Sequence, residues 1–356
     1  IMDIKIADQM IGMDYPSYFI ADIGANHDGS LERAKYLIRL AKQAGADAAK
    51  FQNFRASKIV SDYGFRNMGD KQSHQSKWKK SVSEVYQDAS IPFDWTPELK
   101  AVCDEVNIHY FSSPYDFEAI DYLDPFMPAY KAGSGEITWI EALERMAQKG
   151  KPVMISSGAS EIGEVQRAVD AVLAINPQVV LMQCNTNYTG DPENFRFIHL
   201  NVLQTYRLMY PDLVLGLSDH TPGHATVLGA VTLGARVIEK HFTDDNGREG
   251  PDHPFAMTPD TWAEMVANTR QLEKALGSTR KFVTENELET VVVQRRCLRA
   301  ARDIKAGEVF TREMIDVLRP AVDGAILPYE IESVLGTKAL RDIPAGKELR
   351  WVMLGE

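Results

Sequence analysis

Short apolar runs rich in β-forming residues alternate with amphipathic segments from Tyr18 to about Gly277, and this alternation constrains the fold more than any other feature. The runs have the composition of buried strands, and the segments between them have the apolar spacing of helices. Eight strands alternating with helices predict an α/β protein with a (β/α)8 barrel, and a doubly wound sheet is the alternative. The predicted strands are Tyr18–Ile23, Ala48–Gln52, His109–Ser112, Ala129–Ala132, Val153–Ser156, Val179–Gln183, Val214–Leu217 and Val237–Lys240, and the predicted helices include Leu31–Ala44, Pro97–Val106, Ile162–Ile175 and Pro259–Leu276.

The chain has 356 residues, which fits a barrel and a smaller domain. A net charge of −11 argues against nucleic acid or an anionic membrane as the main partner. Three scattered cysteines, Cys103, Cys184 and Cys297, form no CxxC pair, so we expect no disulfide framework and a reducing cytoplasm. We expect no signal peptide, and no long apolar span opens the chain.

Two segments depart from the barrel pattern. Residues 56–90 form a long polar connection that we interpret as an active-site lid or insertion. A polar linker over residues 278–290 separates a barrel domain (1–277) from a small β-rich domain (291–356). In that tail, Arg302–Glu308 is echoed by Arg341–Lys347, each with a D-I-x-A-G turn, which predicts a pseudo-symmetric domain. An inert appendage is the alternative.

Two histidines follow neighbouring predicted strands. His220 closes the run Leu215–Asp219, His241 closes Val237–Lys240, and the small-residue stretch between them suits a crossover helix. Parallel strands end at the same edge of a barrel, where such proteins build their sites. Two neutral imidazoles there predict a divalent-metal site, whereas two unrelated loop histidines are the alternative.

Further polar residues lie on or after the strand ends. Lys50 and Lys131 are flanked by small hydroxyl residues, and Lys50 shares its strand face with Gln52, so we expect a cradle for a phosphate or carboxylate. A lysine whose ammonium reaches solvent is the alternative. Glu136 follows two glycines and is a candidate acid–base or substrate-binding group, or only a favourable charge at a helix start. The set predicts an enzyme acting on a phosphorylated or carboxylated small molecule.

These residues carry a specific resemblance over nearly the whole chain. The motifs are D-I-G-A-N-H-D-G (22–29), K-x-Q (50–52), Y-K-A-G-S-G-E (130–136), G-L-S-D-H-T (216–221), E-K-H-F-T-D (239–244) and G-P-D (250–252). In order and spacing they resemble the sialic acid synthase family, which makes N-acetylneuraminate and related nonulosonates. The two-copy tail resembles that family's antifreeze-like SAF domain, a β-clip fold.

The resemblance implies a cytoplasmic transferase of carbohydrate biosynthesis that joins phosphoenolpyruvate to an open-chain N-acetylated amino sugar. It implies that His220 and His241 bind a divalent metal, typically Mn²⁺, with Mg²⁺ or Co²⁺ as alternatives, and that Glu136 and Asp22 manage protons. The implied phosphoenolpyruvate contacts are Lys50, Ser113, Lys131, Ser134, Ser156 and Ser218, and the implied sugar contacts are Gln52, Tyr188 and Asp252. A homodimer is also implied, in which Arg319 of the tail completes the partner's site.

The chain departs from the family pattern at three places. The opening glutamate of the family is Asp22 here, one methylene shorter. The asparagine that usually stands two residues before the tyrosine is Thr186, between Asn185 and Asn187. The turn after Arg319 reads R-P-A-V-D-G rather than R-P-G-x-G.

The sequence leaves the amino sugar open. N-acetylmannosamine and 2,4-diacetamido-trideoxy hexoses differ by a few exocyclic groups, so the product could be N-acetylneuraminate, legionaminate or pseudaminate. Two other functions compete with this prediction. One is a 3-deoxy-octulosonate-type synthase, and the other is a non-catalytic carbohydrate-binding protein on the same scaffold.

Overall fold

The structure is a computed structural model that describes residues 2–69 and 73–356. The chain divides into two compact units, Ile1–Gly277 and Ser278–Glu356. Within the described residues, no helix is both long and apolar enough to cross a membrane.

The first unit is an eight-stranded parallel barrel surrounded by helices. Its strands follow the order β5-β4-β3-β10-β9-β8-β7-β6, and the two end strands β5 and β6 lie next to each other, which nearly closes the barrel. The bounds are β3 Tyr18–Asp22, β4 Ala48–Asn53, β5 His109–Pro114, β6 Tyr130–Ala132, β7 Val153–Ser156, β8 Val179–Cys184, β9 Val214–Asp219 and β10 Ala235–His241. Each predicted strand is present, so the barrel is confirmed and the doubly wound sheet is excluded.

Helices connect successive strands, and most of them lie on the outside of the barrel. In chain order they are α1 Leu31–Gln43, α2 Ala56–Ile59, α3 Asp62–Arg66, α4 Val82–Ala89, α5 Trp95–Val106, α6 Phe117–Leu123, α7 Ile140–Ala147, α8 Ile162–Leu173, α9 Val202–Met209, α10 Ala225–Thr232 and α11 Pro259–Leu276. Helix α10 is the expected crossover between the two histidines. Most residues of the larger apolar core lie between these helices and the outward faces of the strands.

The inward-facing residues divide the barrel interior into an apolar floor and a polar mouth. Ile20, Phe111, Met154 and Val237 belong to a second buried apolar cluster at the amino ends of the strands. Because side chains alternate along a strand, the next inward position is two residues later and nearer the carboxyl end. There the inward residues become polar, and they form the candidate site described below.

A short hairpin closes the floor of the barrel. Its strands, β1 Ile4–Ile6 and β2 Gln9–Ile11, pair in antiparallel fashion. Ile4, Ile6 and Ile11 pack into the same apolar cluster as the barrel floor. The sequence pattern did not predict this hairpin, since three-residue strands are too short to show a clear alternation.

The connection between β4 and α5 is an insertion above the barrel mouth. It contains α2, α3, a 3-10 turn at Ser73–Lys77 and α4, while residues 70–72 of the predicted insertion lie outside the described residues. Ser81 and Glu84 form a capping box that fixes the start of α4. Aromatic contacts hold the insertion together, with Tyr86 against both Phe54 and Trp78.

The second unit is a small β-rich domain. Its elements are α12 Leu288–Val293, β11 Cys297–Ala300, β12 Ile315–Leu318, α13 Ile331–Val334, β13 Lys338–Ala339 and β14 Leu354–Gly355.

The two D-I-x-A-G copies of the second unit exchange equivalent contacts. The Asp303 carboxylate accepts from the Ala345 amide at 2.8 Å, and the Asp342 carboxylate accepts from the Ala306 amide at 2.9 Å. Ile304 and Ile343 also exchange two backbone hydrogen bonds of 2.8 Å. The predicted pseudo-symmetry is therefore present.

Candidate active site

The polar layer at the barrel mouth consists of side chains from seven strands. All of them occupy inward positions, and all are at least nine-tenths buried. They are Asp22, Lys50, Ser113, Lys131, Ser156, Ser218 and Glu239. Six of these were predicted from the sequence as site residues, and the alternation of inward positions along the strands is what brings them to one level.

Carboxylates accompany both lysines in this layer. The Lys50 ammonium lies 2.8 Å from an Asp22 carboxylate oxygen and 3.7 Å from Glu239, and the Lys131 ammonium lies 3.4 Å from Glu239. Burial opposes ionisation of Asp22, but the Lys50 ammonium, the His241 side chain and the Gln52 amide together outweigh it and lower the pKa of Asp22 below its ordinary value. The layer is therefore a compact group of paired charges, and neither lysine is solvent-exposed.

Two polar atoms in the described part of the layer still lack a hydrogen-bond partner. Ser218 donates to one Glu239 oxygen at 3.1 Å and Lys50 donates to the Ser113 hydroxyl at 3.2 Å. Among the described residues, however, the Ser156 hydroxyl and the second Glu239 oxygen are buried without a hydrogen-bond partner. Buried polar groups are rarely left unpaired, so this layer has capacity to bind a polar ligand.

His220 and His241 stand side by side at the top of this layer. Their ring centroids are 5.4 Å apart, and both side chains are buried. The His220 Nδ1 lies 3.1 Å from the Asn185 carbonyl oxygen, and the His241 Nδ1 has no hydrogen-bond partner in the described structure. A backbone carbonyl that accepts from one imidazole nitrogen leaves the other nitrogen free to bind a metal.

The spacing of the two imidazoles fits one shared ion. An imidazole bound at about 2.1 Å places its ring centre about 3 Å from the ion, so two such rings stand about 5 Å apart. Among the described residues, no group of three or more histidine, cysteine, aspartate and glutamate side chains is arranged to hold a metal. The protein would thus supply two ligands and leave the other positions open.

A cavity of about 550 Å³ opens above the histidines. Of the predicted residues, it is lined by Gln52, Ser134, Glu136, Tyr188, His241 and Asp252. Tyr188 packs edge-on against His220 at 4.5 Å between ring centroids and also contacts Phe255. The wall opposite the strand ends comes from the insertion and its start, with Phe54, Ile59, Val60, Phe65, Met68, Val85, Tyr86 and Ala89.

Glu136 lies at the edge of this cavity in a poorly hydrated position. Burial raises the pKa of Glu136 to about 7, although the Lys131 ammonium acts against this rise. A Cβ atom on Gly133 would lie 2.8 Å from a Glu136 carboxylate oxygen and 3.3 Å from the Tyr115 hydroxyl. Only glycine at position 133 therefore leaves room for the carboxylate in this position.

Asp252 connects the loop after β10 to the loop after β3. One of its carboxylate oxygens accepts from the Ala25 amide at 2.9 Å and lies 3.7 Å from the His241 Nδ1. Gly24 has a positive φ of 51°, and a Cβ atom there would lie 2.5 Å from the same carboxylate. The D-I-G motif therefore requires glycine for both its backbone conformation and its close approach to Asp252.

Two of the departures from the family pattern lie in the barrel and have visible surroundings. Asp22 reaches Lys50 and also accepts from the Gln52 amide at 3.1 Å and the Gly24 amide at 2.9 Å. The Thr186 hydroxyl is buried without a hydrogen-bond partner among the described residues, and it lies above Gly158, where a Cβ atom would be only 1.8 Å away.

Arg319 lies in the second unit. Its side chain is exposed, and its Nε donates to the Gln294 carbonyl at 2.6 Å.

Sequence reasoning missed two members of the site. Glu239 bridges both lysines, and Cys184 occupies the last inward position of β8 beside His220. The alternation of side chains along a strand could have identified both residues. Glu239 is two residues before His241 and Cys184 is two residues after the inward-facing Met182, so both face the barrel interior.

Comparison with known proteins places these features in a family. Residues 37–281 match the model of the NeuB family, and residues 295–355 match the SAF domain. The chain is 33% identical to human N-acetylneuraminate-9-phosphate synthase, covering 93% of this chain and 90% of that protein. It is also 33% identical to N,N'-diacetyllegionaminic acid synthase of Legionella pneumophila, covering 96% and 95% of the two chains.

Solved structures agree with this assignment. The spore coat polysaccharide biosynthesis protein SpsE of Bacillus subtilis matches with a TM-score of 0.65 and 32% identity, over 99% of both chains. The N-acetylneuraminic acid synthetase of Leptospira borgpetersenii matches with a TM-score of 0.70 and 27% identity, over 82% of this chain and 95% of that one. The chain belongs to the NeuB family and carries a SAF domain.

Proposed function

We propose that this protein is a nonulosonate synthase that condenses phosphoenolpyruvate with an open-chain acetamido sugar and one water molecule, giving a nine-carbon α-keto acid and free phosphate. The observation that carries the proposal is the composition of the barrel mouth, where two buried lysines, unpaired polar groups and two imidazoles lie together and one of those imidazoles, His241, lines the cavity. Relatives named as sialic, legionaminic and pseudaminic acid synthases support the same class of product.

The anionic substrate would bind against the floor of the mouth. Lys50 and Lys131 supply positive charge, and the Ser156 and Ser218 hydroxyls supply directional donors. Glu239 shares both lysines and already accepts from Ser218, so it holds these donors in place before the anion binds. Such preorganised charges favour a reaction in which negative charge moves from a carboxylated enol phosphate to free phosphate.

His220 and His241 would hold a divalent ion, which acts when bound as a Lewis acid on the aldehyde oxygen of the sugar. Tyr188 and Phe255 pack around the two rings and keep them from rotating. Asp252 faces the same edge of the cavity and can accept hydrogen bonds from sugar hydroxyls.

The apolar wall of the cavity favours a sugar with methyl-terminated substituents. The residues that the insertion and Phe54 contribute to the lining are mostly aliphatic and aromatic, and the described lining residues include no lysine or arginine. An acetamido methyl or a 6-deoxy carbon fits such a wall, whereas a buried hydroxyl without a partner costs about 1–3 kcal/mol. We therefore place diacetamido-trideoxy hexoses ahead of N-acetylmannosamine as the substrate.

Glu136 is the proposed proton carrier. Its raised pKa of about 7 lets the carboxyl both accept and release a proton near neutral pH. Asp22 is the second acidic group of the site, but its close contact with Lys50 keeps it ionised and suits it to orienting that lysine.

Phosphate release from phosphoenolpyruvate, measured with Mn²⁺ across a panel of acetamido sugars, tests this function. We expect release only when a sugar is present, highest for a diacetamido-trideoxy hexose, and abolished by chelation or by His220→Ala. His224→Ala is the matched control, since that residue caps α10 without a side-chain hydrogen bond and should leave the rate unchanged. Absence of release with every sugar would favour the carbohydrate-binding alternative, and release with a five-carbon sugar phosphate would favour the octulosonate-type synthase.

A further inference from the structure

A buried ion pair lies directly behind the two imidazoles. Lys240 and Asp219 are paired residues in the ladder between β10 and β9, and the Lys240 ammonium lies 2.8 Å from an Asp219 carboxylate oxygen. Their side chains are 1% and 0% exposed. Each residue immediately precedes one of the histidines, and alternation along the strand points the ion pair outward and the imidazoles inward.

The Lys240 ammonium has a complete set of acceptors. Besides Asp219 it donates to the Thr221 carbonyl at 2.6 Å and to the Gly223 carbonyl at 2.7 Å. An ammonium group has three donors, so all of them are used. Lys240 thereby connects, through hydrogen bonds, the loop that follows His220 to the strand that carries His241.

Asp219 extends the same connection to the next helix. Its Oδ2 accepts from the Thr221 hydroxyl at 2.6 Å and from the Thr226 hydroxyl at 2.9 Å, and Thr226 lies in the first turn of α10. The Asp219 carboxylate at the end of β9 therefore contacts three other parts of the chain. These are the loop that follows β9, the first turn of α10, and β10.

Stability alone gives little reason for this arrangement. A fully buried ion pair is often no more stabilising than apolar residues of similar size, because removing two charges from water is costly. What a buried lysine with all three donors used does provide, when one acceptor is the Oδ2 atom shared by two threonine hydroxyls, is a single geometry. That geometry fixes two strand ends, whose next residues are the imidazoles 5.4 Å apart.

We propose that Asp219 and Lys240 are positioning residues that set the distance and orientation of His220 and His241 for a divalent cation. The proposal rests on the metal role of the histidines given above. Under this proposal the site includes residues on the outer face of the strands, which do not line the cavity. Outer contacts that orient metal ligands commonly change metal affinity by about 10- to 100-fold when removed.

The test compares Mn²⁺ affinity, measured by titration calorimetry, with thermal stability in the full chain. Lys240→Met leaves Asp219 without its partner, so it should lower both the melting temperature and the affinity. The double variant Asp219→Asn/Lys240→Met removes the unpaired charge and should recover melting temperature, but its Mn²⁺ affinity should stay about 10- to 100-fold below that of the parent. Ile238→Ala is the matched control, because Ile238 lies on the same face of β10 two residues earlier.

We expect Ile238→Ala to lower the melting temperature while its Mn²⁺ affinity remains within about twofold of the parent, since it leaves the imidazoles' supports intact. A folded double variant with parental affinity would overturn the positioning role while leaving the metal site intact. The positioning role would also be overturned if the control lost affinity in proportion to its stability. A parent protein that binds no divalent ion would overturn both this role and the metal role on which it rests.

Discussion

At the scale of the residue, each buried lysine of the barrel mouth is paired with at least one carboxylate. Lys50 is offset by Asp22, and Lys131 shares Glu239 with Lys50. Phosphoenolpyruvate would therefore bind lysines whose positions are already fixed. Its phosphate and carboxylate groups would compete with Asp22 and Glu239 for those lysines. The consequence is that removing one lysine both weakens anion binding and leaves a carboxylate unpaired.

Lys131→Met should accordingly impair phosphoenolpyruvate use more than sugar use. The loss of one cation from a desolvated anion site should cost about 2–5 kcal/mol of transition-state stabilisation, which appears as a lower kcat/KM for phosphoenolpyruvate. Steady-state kinetics with each substrate varied in turn measures this difference. Arg236→Met is the control, since Arg236 is a buried cation at the opposite end of β10. Equal losses for both substrates, or the same loss in the control, would assign Lys131 a structural role.

Glu136 makes a pH-dependent contribution to stability. Its pKa is about 7 in the folded protein against an ordinary value of 4.5, so the folded state binds the proton more tightly than the unfolded chain. Stability from this group is present below pH 4.5 and is lost as the pH rises to about 7, by at most about 3 kcal/mol.

Urea unfolding of the parent and of Glu136→Gln between pH 4.5 and 8 isolates this contribution. We expect the parent to lose stability relative to the variant as the pH rises, with no further change above about pH 8. Glu141→Gln, on the exposed face of α7, is the control for removing a surface carboxyl group. A constant difference for Glu136→Gln would show that its carboxyl titrates normally.

At the scale of the element, the turn after β6 shows how backbone geometry places a functional group. Glu136 ends a 3-10 turn, Ser134–Glu136, and its carboxylate occupies the space that a side chain at Gly133 would need. Gly135 lies in the same turn, but a Cβ atom there would have no heavy atom of the described residues within 4 Å. Two glycines of one motif thus have different roles.

Gly133→Ala should therefore lower kcat by about tenfold or more, because the methyl group displaces the Glu136 carboxylate. Gly135→Ala should lower kcat less than Gly133→Ala, since its methyl group enters the cavity without displacing the Glu136 carboxylate. Circular dichroism melting of both variants serves as the control for folding. Equal activity of the two variants would mean that the position of Glu136 does not matter for turnover.

The strands and the polar mouth were predictable because buried parallel strands have a plain signature. Val153–Ser156 was predicted to the residue, and Val214–Asp219 and Ala235–His241 differ from their predictions only by one to two residues at their ends. Lys50 and Gln52 were correctly placed on one face by their spacing.

Other features of the fold and of the site could not be predicted from the hydrophobic pattern of the sequence. The hairpin β1–β2 is too short to show a period, and the pairing of Lys240 with Asp219 depends on the register between two strands. Glu239 was visible in its motif, but its contact with two lysines from other strands is a product of barrel closure.

At the scale of the whole molecule, the chain combines a barrel that contains the cavity with a SAF domain that carries Arg319. The resemblance to the family leads us to propose a homodimer in which Arg319 of one chain completes the site of the other. An arginine fork suits a carbonyl acceptor such as an acetamido group, and lysine would not reproduce its geometry.

Mixing Arg319→Ala chains with His220→Ala chains tests this arrangement. Each variant alone should have almost no activity, whereas a mixed dimer contains one site with both groups intact. Random exchange should restore about a quarter of the parental rate. Native mass spectrometry shows whether subunits exchange, and exchange without rescue would rule out the role of Arg319 in the partner's site.

The central claim is that the barrel mouth joins phosphoenolpyruvate to an amino sugar. The most direct measurement is the exact mass of the product formed by the Mn²⁺-loaded protein from uniformly ¹³C-labelled phosphoenolpyruvate and a diacetamido-trideoxy hexose. The account predicts a nine-carbon α-keto acid that contains all three labelled carbons and appears with an equal amount of free phosphate. Labelled pyruvate in place of that acid, or recovery of both substrates unchanged across the sugar panel, would contradict it.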